Sequence, residues 1–213
     1  MNVKSESLRL KVFAWSLSAV VVILAFLAWG MGNKWQLAHI SNYKLFPLFG
    51  LIAFSLMWAH YIVSGTRQYF KIASSEVRGY FEVTSFAVFL AILFHPGLLW
   101  WQLWRDGLGL PPESYLKHYV APGLGWVALL GTASWFVFLA YEFRRLFDQK
   151  SWWHYVQAAS DIAIVAVFYH ALRLGTQLRH GWLKPVWYFY GVSLLIALGY
   201  IYYAKRQQKA GKV

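Results

Sequence analysis

The chain reads as an all-α integral membrane protein, a bundle of six transmembrane helices with both termini cytoplasmic. Three observations lead there. Of its 213 residues 59% are hydrophobic and only 13% charged, against roughly 25% charged in a soluble domain. Apolar runs near twenty residues recur along the whole length, and about twenty such residues cross a hydrocarbon core. Aromatic side chains make up 20% of the chain, and their Trp and Tyr members gather at the ends of those runs, as interfacial belts do.

The elements follow in order as one domain over 1–213. The first span covers 12–31, Val12 to Met31, and lacks a small-residue cleavage site, so it reads as a retained helix and not a signal peptide. The second covers 45–65 and contains PLFGLIAFSLMWAHYIV; the third covers 80–103 and contains FEVTSFAVFLAILFHPGLLWW. The fourth covers 120–142, with Gly123 and Gly125 as small residues for helix packing. The fifth covers 153–176 and the sixth 185–204. Trp100, Trp101, Trp104, Trp152, Trp153, Trp182, Trp187, Tyr200, Tyr202 and Tyr203 mark the span ends.

Charge sets the orientation. With the N-terminus inside, the inner segments carry Lys4, Arg9, Lys11, Arg67, Lys71, Arg78, Arg144, Arg145, Lys150, Lys205, Arg206, Lys209 and Lys212, which is 13 of the 20 basic residues. The outer segments carry Lys34, Lys44, Arg105, Lys117, Arg173, Arg179 and Lys184. Lys and Arg prefer the cytoplasmic side. The net charge of +12 flanks apolar runs, which points to anionic lipid and not to nucleic acid. There is no Cys, which excludes disulfides, thiolate-held iron–sulfur clusters and Cys-ligated or covalently attached haem.

Seven histidines are present, and depth sorts them. His39, His118 and His180 fall in outer loops, and His60 and His154 near the inner face. His95 and His170 alone fall in the outer halves of their spans. An ionisable side chain at membrane depth is expensive and marks function or a buried polar partner. Both host spans run outward, placing the two roughly 22 and 25 Å from their inner ends at ~1.5 Å per residue. Two neutral imidazoles at matched depth suit the two axial positions of one haem iron; the alternative is two hydrogen-bonded packing residues. Pro96, directly after His95, removes a backbone donor and favours a kink. Arg173, one turn beyond His170, suits a haem propionate or, equally, an interfacial cation with its head in water. Of the carboxylates, Glu82 and Asp161 fall inside spans. Asp161 needs a partner, either as a hydrogen-bonding residue at a helix contact or as a proton relay. There is no Walker loop, dinucleotide fingerprint or HExxH motif.

The span order, the histidines in the third and fifth spans and the stretch WHYVQAASDIAIVAVFYH together resemble the ferric-reductase-like transmembrane family, which includes the MsrQ/YedZ membrane haem subunits, NADPH oxidases and STEAP-type metalloreductases. The resemblance covers spans two to six. Trp153 takes the place of a Trp in the fifth-span pattern and His170 that of its later His. The resemblance implies one haem b on the outer-leaflet side, with His95 and His170 as axial ligands and Arg173 beside it. Two-haem members carry a second ligand pair thirteen residues earlier, where this chain has Glu82 and Gln157, so the usual inner haem is not expected. Those two residues instead suit packing, a mutual hydrogen bond, or the headgroup of a flavin or quinone; a pair from His60 and His154 is a minor alternative. The family's nucleotide-binding domain is absent from this stretch. The expected function is single-electron transfer across the membrane, from a separate donor protein, a quinol, or a flavin near Arg67, Lys71 and Arg78, to an outer protein, oxygen or a metal ion as acceptor. The expected setting is a bacterial inner membrane, as a membrane subunit of an oxidoreductase. The alternative from another class is a haem-free membrane scaffold or assembly subunit derived from such a cytochrome.

Overall fold

Every long apolar run forms a helix in the computed structural model, which describes residues 3–36, 38, 40–142, 149–179 and 181–211. The helices are α1 (Val3–Gly32), α2 (Asn42–Tyr69), α3 (Arg78–Arg105), α4 (Glu113–His118), α5 (Gly125–Glu142), α6 (Trp153–Leu174), α7 (Thr176–Arg179) and α8 (Leu183–Lys209), with a 3-10 turn at Ser74–Val77 before α3. Six of them, α1, α2, α3, α5, α6 and α8, are long and apolar enough to cross a membrane. The chain is a multi-pass integral membrane protein in contact with lipid.

The outward faces say the same. Ile162 is 71% exposed and Ile196 67%, in company with Phe86, Phe136 and Phe189. Such a coat is costly in water and neutral in hydrocarbon, where lipid tails are as apolar as the side chains. Helices suit that setting because each satisfies its own backbone polar groups.

The expected spans hold, with shifted ends. α1, α2 and α8 run past the apolar run by a turn or more, because their polar ends still bond internally. α5 starts at Gly125 instead of 120, because Pro122 and Gly123 make a turn in which Gly123 has φ +81°. Gly123 is thus a turn residue and not a packing residue, and a side chain there would be strained. α6 ends at Leu174, and Gly175 leaves the helix in extended conformation.

α2 is the most buried span and packs against α1, α3 and α8, while α5 pairs with α6. Aromatic packing ties α2 to α8: Trp58 stacks on Tyr190 with ring centroids 4.2 Å apart, and Phe54 meets Trp187 at 4.5 Å. The Trp58 indole N–H donates to Ser193 Oγ at 3.0 Å. Near the chain termini, Glu76 accepts from Ser7 and from Lys11, joining α1 to the 3-10 turn. The bundle therefore has two halves, α2/α3 and α5/α6, and His95 and His170 sit one in each.

Candidate functional site

His95 on α3 and His170 on α6 line one cavity between the two halves. Their surroundings are built to the same plan. His95 Nδ1–H donates to the backbone carbonyl of Phe46 on α2 at 2.9 Å. His170 Nδ1–H donates to the backbone carbonyl of Val127 on α5, also at 2.9 Å. A carbonyl only accepts, so each neutral imidazole carries its proton on Nδ1 and leaves Nε2 as a lone-pair donor. Neither Nε2 makes a hydrogen bond among the described residues.

A glycine lies one turn after each carbonyl. A Cβ on Gly50 would stand 2.6 Å from His95 Cε1, and one on Gly131 would collide with the His170 ring. Both rings thus occupy space that any other residue would fill. Phe46 also packs on the His95 ring, centroid to centroid 5.4 Å.

The cavity holds about 1310 Å³ of atom-free space, counted out to open solvent. Its wall is mainly apolar, with Leu51, Phe54, Leu99, Trp135 and Val167 among the lining side chains. Polar groups gather at the end away from the chain termini, where Tyr115 donates to Thr132 Oγ1 at 3.0 Å and Thr176 and Gln177 also face the space. Two preset imidazoles, glycine clearance and a mainly apolar wall are groups that could hold a flat metal-bearing macrocycle through His95 and His170. Among the described residues no group of three or more His, Cys, Asp or Glu is placed to hold a bare metal ion.

Other expected residues lie elsewhere. Arg173 is exposed in the last turn of α6 and is not part of the cavity wall, a position from which a long cation can reach water. Glu82 is exposed and paired with Arg78 at 2.9 Å, so it does not meet Gln157. His154 is exposed, with Nδ1 donating to Ser151 O at 2.6 Å, and forms no pair with His60. His39, His180, Arg144, Arg145 and Lys212 lie outside the described residues.

A second cavity of about 1150 Å³ lies toward the chain termini and borders Met57, Ile92 and Phe138, which also border the first. His60, Gln157, Asp161, Arg67 and Lys205 line it. His60 turns Nε2, not Nδ1, to its partner. Thr84 Oγ1 donates to Tyr80 O, so at 2.6 Å it accepts from His60 Nε2–H. Asp161 accepts from Tyr61 at 2.7 Å and from Tyr202 at 2.6 Å, so the carboxylate is a three-helix tie between α2, α6 and α8. Sequence spacing did not reveal the glycines or the two carbonyls, because their role depends on which helices are neighbours. Comparison of the chain with protein-family models, with curated proteins and with solved structures finds no match.

Proposed function

We propose that this chain is a haem b-binding transmembrane electron-transfer protein of the ferric-reductase-like type, with His95 and His170 as the axial ligands. The observation that carries the reading is the matched pair of Nδ1–H to carbonyl bonds, which keep both Nε2 lone pairs for a metal in one apolar cavity. Haem, when bound, supplies reversible one-electron storage between its ferric and ferrous states. The chain's own work is to hold and tune. The Phe46 and Val127 carbonyls fix ring orientation and raise imidazole basicity. Leu51, Phe54 and Val167 keep water away, and Tyr115, Thr132, Thr176 and Gln177 offer neutral polar contacts at the rim.

The second cavity suits electron input on the inner side, with a flavin, a quinol or a separate donor protein as the source and an outer protein, oxygen or metal ion as acceptor. Its lining mixes apolar side chains such as Ile92, Phe138 and Ile164 with His60, Gln157 and Asp161, which suits a ring carrier that sheds protons on oxidation. The inner-facing orientation follows from the basic-residue bias, and a bacterial inner membrane is the proposed location. A haem-free scaffold is the second reading, favoured by Gln157 standing where an inner ligand belongs. The test is spectroscopic: His95→Ala and His170→Ala each abolish the low-spin haem bands while the protein stays in the membrane. Unchanged bands in both variants overturn the ligand assignment.

A further inference from the structure

We infer that Trp135 is a positioning residue for His95, acting through a backbone carbonyl that Pro96 sets free. In an α-helix each carbonyl accepts from the N–H four residues later. The partner of the Ile92 carbonyl is position 96, and proline has no N–H. α3 nevertheless continues through Pro96 to Arg105. The vacant acceptor is filled from the opposite half of the bundle, where the Trp135 indole N–H on α5 donates to Ile92 O at 2.8 Å. Ile92 is buried at 6% exposure, so water is a poor substitute and an unfilled acceptor there is costly. Trp135 also lines the first cavity and meets Trp100 of α3 edge-on at 5.3 Å.

The consequence is geometric. His95 lies one helical turn after Ile92 and directly before Pro96, while Trp135 lies one turn after Gly131, the glycine under His170. The bond therefore joins the backbone that carries one imidazole to the helix that seats the other. Few other contacts join α3 to α5, so this bond is placed to set the separation of the two rings across the cavity. Pro96 acts as the device that leaves a carbonyl for a partner helix. The positioning role rests on the haem reading; the hydrogen bond does not.

A double-mutant cycle on the full-length protein separates the two. The variants are Trp135→Phe, Pro96→Ala and both together. Pro96→Ala returns an N–H to position 96, so Ile92 O regains a helical donor and no longer needs the indole. Trp135→Phe in the native background is expected to lower the melting midpoint in detergent by about 2–4 °C and to shift the low-spin electron paramagnetic resonance g values. In the Pro96→Ala background both effects should fall to less than half. Equal, additive effects of Trp135→Phe in the two backgrounds overturn the clamp, since simple packing loss is blind to the proline. A non-additive melt with unmoved g values keeps the bond and overturns the positioning role. A wild type without haem refutes the function proposed above and the positioning role with it, while the melting cycle still decides the bond.

Discussion

His95 and His170 face one cavity from opposite halves of the bundle, and each gives its Nδ1 proton to a main-chain carbonyl of the adjoining helix at 2.9 Å. Phe46 and Gly50 on α2, and Val127 and Gly131 on α5, stand at the same four-residue spacing. Carbonyl and glycine thus fall on one helix face one turn apart, the first holding the ring and the second clearing room for it.

That clearance is testable. Gly50→Ala and Gly131→Ala each push a methyl into an imidazole, and overpacking of this kind costs about 1–3 kcal/mol. Haem retained per chain after purification is expected to drop severalfold in each variant, with the protein still folded by circular dichroism. Full haem content with unchanged bands in both would show that the glycines do not matter to the site.

Asp161 should behave as a structural tie. Asn in its place keeps one acceptor oxygen for two tyrosine donors, so one of Tyr61 and Tyr202 loses its partner at a cost of about 1–3 kcal/mol. Asp161→Asn is expected to lower the melting midpoint, and adding Tyr202→Phe should cost less than it does alone. Additive losses would mean that the Tyr202 bond carries no coupling.

The second cavity can be filled. Gln157→Trp places a bulky ring among its lining residues. Stopped-flow reduction by a short-chain ubiquinol is expected to slow at least tenfold, while reduction by dithionite and the haem bands stay as in the wild type. Equal quinol rates in the two proteins remove this cavity from the electron path for that donor.

Topology can be read without background labelling, because the chain has no Cys. Glu113→Cys, at the exposed first residue of α4, is expected to react with an impermeant maleimide in intact cells. Ser75→Cys, in the turn before α3, should react only after permeabilisation. The reverse pattern inverts the orientation inferred from the basic residues.

Much of this was legible in the sequence, and the reasons are physical. Run length reports membrane crossing directly, so six helices emerged in register with the six apolar runs. His95 and His170 stood out because polar groups at that depth are rare. What spacing did not carry is lateral contact. Arg173 and His170 share a face by periodicity, yet Arg173 is exposed, because a long cation at a helix end follows water and not its neighbour. Glu82 looked internal by count and is instead paired with Arg78 at an exposed end. Pro96 was legible as a missing donor, but the Trp135 indole that answers it comes from a helix whose proximity no local pattern encodes.

The most direct test of the central claim is the reduced-minus-oxidised absorption spectrum of the purified wild-type protein, expressed with ample haem, with haem quantified per chain. The expected result is one b-type haem per chain with sharp low-spin bands. Absence of haem, or a high-spin spectrum that lacks the signature of two axial imidazoles, would contradict the assignment of His95 and His170 as its ligands.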